Sequence, residues 1–124
     1  MSRRTIITIF DYVAGNMHSL VKARDVGDDV EIRLQTDPAA AVKTDALVLP
    51  GVGAFSNAAS RIASGASAMR DAIAGGLPAL CICLGMQLLF EGSEEGPGAG
   101  LGVIPGRVRR LKAKRIPQIG WNEI

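Results

Sequence analysis

The chain is short of the residues from which catalytic and metal centres are most often built. In 124 residues it holds one histidine, His18, and two cysteines, Cys81 and Cys83. Two thiols alone cannot complete a tetrahedral zinc site, so no metal is expected. The cysteines stand only two apart, a loop too tight to close as an unstrained disulfide. Free thiols fit a reducing compartment, here the cytoplasm. The net charge of +2 is too small to argue for nucleic acid. No apolar stretch is long enough to span a bilayer. Ser2-Arg3-Arg4 followed by the apolar Thr5 to Phe10 mimics a signal peptide, but Asp11 breaks the run. A first buried strand explains those residues better. No internal repeat is visible.

What is present is a hydrophobic fraction of 48%, enough for the modest core of one domain. Thr5-Ile6-Ile7-Thr8-Ile9-Phe10 is β-branched and nearly continuous, the pattern of a strand buried on both faces of a parallel sheet. Apolar residues at Met17, Leu20 and Val21 predict a short amphipathic helix over Asn16 to Arg24. Val30 to Leu34 alternates strictly and reads as a half-buried strand nearer an edge. Asp37-Pro38 opens a helical turn at Ala39 to Val42. Ala46 to Leu49 is the next buried strand, stopped by Pro50-Gly51. Phe55 to Ala74 reads as one helix, with Phe55, Ala58, Ile62, Met69 and Ile73 as core contacts and Gly65 weakening its middle. Gly92 to Gly102, with five glycines and Pro97, reads as a loop. Gly102-Val103-Ile104 and Arg107 to Leu111 predict two short antiparallel strands around Pro105-Gly106. Alternating strands and helices point to an α/β fold, a three-layer sandwich with a mostly parallel sheet.

One junction carries chemistry. Leu77-Pro78-Ala79-Leu80 reads as a short strand and Met86 to Phe90 as the opening of a helix. Cys83 lies between them, on a strand-to-helix elbow that would hold its Sγ exposed near a helix N-terminus. The partial positive charge there favours the thiolate, the reactive form. The backbone N–H of Leu84 is then expected to be free to face an oxyanion on a substrate carbonyl. Gly85 would let the helix pack closely on the preceding strand. Against this stands a buried structural thiol, the reading kept for Cys81. Pro50-Gly51-Val52-Gly53 could be an ordinary turn, and it lacks the Lys-Ser/Thr ending of a P-loop. Paired with the elbow, it reads as a strand supplying oxyanion donors.

Cys83-Leu84-Gly85-Met86-Gln87-Leu88-Leu89 resembles the nucleophile motif of class I glutamine amidotransferases. Asp11 to Ser19, Leu49 to Phe55, Phe90 to Gly96 and Gly120 to Glu123 are most similar to the glutaminase subunits of imidazole glycerol phosphate synthase, from histidine biosynthesis. The resemblance runs from about Thr5 to the last residue. It implies that glutamine is hydrolysed through a thioester on Cys83 and that ammonia passes to a cyclase subunit of (β/α)8 barrel fold in a heterodimer. Val52 and Leu84 would offer backbone N–H groups to the oxyanion. Gly51, Gly53 and Gln87 would contact glutamine, and Asn16, Trp121 and Asn122 would lie towards the barrel. No cofactor is implied. Residues 1–124 would form the N-terminal part of a single amidotransferase domain.

Two departures from that pattern set the alternatives. Class I members complete the nucleophile with a His-x-Glu pair, which does not occur in these residues, and His18 does not match it. Cys81 replaces a glycine usual two residues before the nucleophile. One alternative is therefore a catalytically silent domain that binds glutamine or the barrel; another is a different class I amidotransferase. The basic run Arg107, Arg109, Arg110, Lys112, Lys114 and Arg115 lacks interleaved aromatics, so it reads as a solvated face or interface rim rather than a nucleic-acid patch.

Overall fold

The computed structural model describes residues 3–12, 27–117 and 119–123. Four strands form one sheet: β1 (Thr5–Phe10), β2 (Val30–Gln35), β3 (Ala46–Leu49) and β4 (Ala79–Cys81). Their order is β2-β1-β3-β4, and every pairing is parallel. Thr8 lies opposite Arg33 on one side and Leu47 on the other, and Leu49 opposite Cys81. The fold is thus the expected α/β arrangement of a parallel sheet with covering helices. β1 is central and its last three residues are buried, while β2 lies at an edge of the sheet as its sequence predicted. Burial along β2 does not alternate cleanly, and Leu34 is exposed. The helix expected over Asn16 to Arg24 lies outside the described residues.

Helix α1 (Pro38–Ala41) starts for a local reason. The Asp37 carboxylate accepts the Ala39 N–H at 3.0 Å, and proline occupies the first helical position, where no N–H is needed. The long helix expected over Phe55 to Ala74 is two helices, α2 (Phe55–Ile62) and α3 (Ala66–Ala74), joined by a 3₁₀ turn at Ala63–Gly65. Gly65 is more than a weak spot. It is buried against α1, and a Cβ there would stand 2.6 Å from the Ala39 nitrogen and 2.8 Å from the Pro38 ring. The break lets the chain pass that contact. Phe55, Ala58, Ile62 and Met69 are buried as predicted, and Ile73 packs against them. They meet Phe10, Leu47 and Leu49 from the sheet in one core cluster. Burying each large side chain contributes about 1.5–3 kcal/mol.

Beyond β4 the chain makes a single-turn helix, α4 (Leu84–Gln87), shorter and earlier than the sequence indicated. The antiparallel pair expected around Pro105-Gly106 does not form. Instead β5 (Gly92–Ser93) and β6 (Arg107–Val108) pair in parallel. Local turn chemistry is overridden by longer-range bonds: Glu91 N–H donates to the Gly106 carbonyl at 2.9 Å, Glu94 N–H to Val108 at 2.9 Å, and the Glu91 carboxylate accepts the Gly106 N–H at 3.0 Å. No helix among the described residues is long and apolar enough to cross a membrane.

Candidate functional site

Because the sheet is parallel, β1, β3 and β4 all deliver their C-terminal ends to one edge, where ligands of such folds bind. Tyr12, the Pro50–Gly53 turn and the Ile82-Cys83 elbow therefore converge there. The elbow is pinned on both sides. Ile82 N–H donates to the Leu49 carbonyl and Gly85 N–H to the Ile82 carbonyl, each at 2.9 Å. The chain must reverse between them, and Cys83 takes φ 53°, ψ −112°. It is the only non-glycine residue with positive φ among the described residues. That backbone costs an L-residue on the order of 1–3 kcal/mol, a strain retained only where the surroundings dictate it. Gly85 shows what dictates it, because a Cβ there would overlap the Leu49 carbonyl oxygen. Leu84 is buried, whereas Cys83 is exposed at the turn.

The Pro50–Gly53 turn lies against the elbow. Gly51 has φ 139°, and its α-carbon faces both Tyr12 and Leu84: an added Cβ would be 3.1 Å from Tyr12 Cε2 and 3.4 Å from Leu84 Cβ. Here one expectation is corrected. The Leu84 N–H is not free, because it donates to the Gly51 carbonyl at 3.4 Å. The bond is long and correspondingly weak, but in this conformation the donor is occupied. Val52 is 90% exposed.

The residues expected to serve one substrate line two cavities. Val52, Gly53 and Leu84 border one of about 500 Å³, together with Tyr12, Asn57 and Arg61. Gln87, whose N–H donates to the Cys83 carbonyl at 3.1 Å, borders another of about 620 Å³. That second cavity is lined by Glu94, Glu95, Arg109 and Arg110, acids and bases that sequence reading did not select for the site. Cys83 lines neither cavity. Trp121 is fully exposed rather than packed in the core, and Asn122 is exposed beside it. Asn16 and His18 lie outside the described residues.

Two further side chains flank the elbow. Cys81 is half-buried, and burial pushes its thiol up, which keeps it protonated and unreactive. Tyr12, which sequence reading passed over, stacks edge-on against Phe10 with ring centroids 4.9 Å apart. Burial, and secondarily the nearby Cys81, raises its phenol well above the ordinary value. Its position directly after the first strand was the available signal.

The sequence was also compared with known proteins. A model of the family "Glutamine amidotransferase class-I" matches residues 8–123. The chain is 46% identical over 125 residues to imidazole glycerol phosphate synthase subunit HisH of Microcystis aeruginosa, covering 97% of this chain and 58% of that protein. The protein of the same name from Acaryochloris marina is 45% identical, covering 96% and 58%. That from Thermus thermophilus is 44% identical, covering 94% and 60%. The chain thus spans less than two thirds of the length of these curated relatives.

Proposed function

The chain belongs to the class I glutamine amidotransferase family, and on that premise we propose that it carries the nucleophile half of the glutaminase subunit of an imidazole glycerol phosphate synthase. The observation that carries the reading is the Cys83 elbow: a strained, exposed thiol at φ 53° followed by a glycine whose added Cβ would overlap the Leu49 carbonyl. The names of the relatives agree in direction, since the similarity covers nearly the whole chain.

In this reading the Cys83 thiolate adds to the γ-carbonyl of glutamine. The carbonyl oxygen becomes an oxyanion, which the N–H groups of Leu84 and Val52 stabilise. As the C–N bond breaks, the amide nitrogen takes one proton from solvent and leaves as ammonia; a γ-glutamyl thioester remains, which water cleaves to glutamate and free thiol. Gly51, Gly53 and Gln87 contact the substrate. The Gln87 cavity also suits an amino-acid zwitterion, with Glu94 and Glu95 available to an ammonium and Arg109 and Arg110 to a carboxylate. Asn16, Trp121 and Asn122 face a (β/α)8 cyclase subunit, to which ammonia passes without entering water, where it would become non-nucleophilic ammonium. The 124 residues form part of one amidotransferase domain, working in the cytoplasm as half of a heterodimer.

The competing reading is a silent domain that binds without chemistry. It is favoured by the occupied Leu84 N–H. Trapping with a glutamine-analogue electrophile, read by intact mass, separates the two. One adduct on Cys83, lost in Cys83→Ala, supports the glutaminase. No adduct, with Cys83 still open to a simple alkylating agent, leaves only the silent domain.

A further inference from the structure

Among the described residues, Tyr12 alone has a buried side-chain polar atom with no hydrogen-bond partner: its hydroxyl oxygen. Phenylalanine would fill the same space without that cost, because a buried hydroxyl lacking a partner has lost its hydration and gained nothing. Such a group invites the question of which state of the molecule uses it.

The neighbours narrow the answer. Phe10 meets the ring edge and offers no acceptor. Cys81 lies close enough to influence the phenol, yet no hydrogen bond joins them. Gly51 is the third. Its missing Cβ would stand 3.1 Å from Tyr12 Cε2, the ring carbon adjoining the one that bears the hydroxyl. The Gly51 carbonyl now accepts the long bond from Leu84 N–H. An N–H shared between that carbonyl and a substrate oxyanion would stabilise the oxyanion less than one given to it alone. To release the donor, the Gly51 carbonyl must turn away, and without a new donor it would be left unpaired. A glycine at φ 139° can make that rotation without a side chain in the way.

We propose that Tyr12 is a positioning residue for the chemistry at Cys83, its hydroxyl donating to the Gly51 carbonyl when that carbonyl leaves Leu84 and so freeing the Leu84 N–H for the oxyanion. The proposal rests on the glutaminase reading. It explains why a phenol with no partner in this structure stands beside the glycine whose carbonyl must change partners.

The test compares the 124-residue chain with Tyr12→Phe using two reagents. Iodoacetamide alkylates Cys83 by displacement and builds no oxyanion. The γ-p-nitroanilide of L-glutamate does build one: the thiolate adds to its carbonyl and p-nitroaniline leaves, taking a proton from solvent. The expected result is alkylation unchanged within about twofold and p-nitroaniline release slowed about fivefold to tenfold, the size of one neutral hydrogen bond. The variant should melt no lower than the parent. Equal slowing with both reagents, or a lower melting point, would make the phenol structural and overturn the proposal. Equal anilide rates in parent and variant would show the hydroxyl idle and leave the glutaminase reading standing. A parent that is alkylated but releases no p-nitroaniline would show that these residues build no oxyanion at Cys83 and would overturn the inference.

Discussion

Cys83 and Gly85 make the elbow a matter of single atoms. In Gly85→Ala the new methyl would occupy the position of the Leu49 carbonyl oxygen, and that oxygen already accepts the Ile82 N–H. Neither backbone can yield without opening the β3–β4 ladder, so the variant should lose on the order of 3 kcal/mol or more, or fail to fold. Urea unfolding of the two proteins side by side measures it, and a loss below about 1 kcal/mol would mean that the junction is looser than described. Asp45 offers a milder test at the same scale. Its carboxylate accepts the Ile6 N–H at 2.8 Å and pairs with Arg3, and these two partners, the backbone first, hold it below the ordinary carboxylate range. The lowered value means that its contribution is complete above about pH 4 and fades as pH falls through the folded-state value. Melting temperatures followed from pH 7 to pH 3 should therefore fall less steeply in Asp45→Asn, which starts lower at neutral pH. Parallel curves would show that the carboxylate is not coupled to folding.

At the level of elements, the bend between α2 and α3 follows from a neighbour 26 positions upstream in the chain. Hydrophobic spacing alone makes Phe55 to Ala74 one helix, and Phe55, Ile62 and Met69 do lie on one buried face. The interruption comes from α1, whose Pro38 and Ala39 press on Gly65 more closely than any side chain allows. Gly65→Ala would raise intrinsic helix propensity by about 1 kcal/mol in an exposed helix. Here the Cβ would meet backbone at 2.6 Å, so we expect a net loss of about 2 kcal/mol instead, read from thermal or urea unfolding. A gain in stability would mean that α1 can move aside. The same override explains the pairing of β5 with β6. Pro105-Gly106 is a turn signal in the sequence, but the strand after it finds its partner at Gly92–Ser93 rather than across the turn.

Over the whole molecule, β4 is an outer strand of the described sheet, paired only with β3. Leu80 on it is 61% exposed and Ile82 just beyond is 45% exposed, an open strand with apolar side chains, which is a template for association. Leu80→Lys should reduce concentration-dependent light scattering of the isolated chain several-fold while leaving its melting temperature nearly unchanged, because little burial is lost. Scattering that does not respond would place the sticky surface elsewhere, for example among the exposed Leu111, Ile119 and Trp121.

The sequence by itself determined the class of fold, the main buried strands, most of the core face of α2 and α3, and the Cys83 elbow with its family. These rest on local information: a run of β-branched residues, the period of apolar positions, and an unbroken motif within seven residues. Only the tertiary structure decided that Gly65 breaks a helix, that β5 and β6 run parallel, that Gln87 and Val52 border different cavities, and that the Leu84 N–H is held by Gly51. Nor could spacing alone select Tyr12, since its weight comes from lying beside Gly51 and Cys81, 39 and 69 positions away. Such features depend on contacts between segments far apart in the chain, where steric overlap and unpaired polar groups arise only once the backbone has brought those segments together.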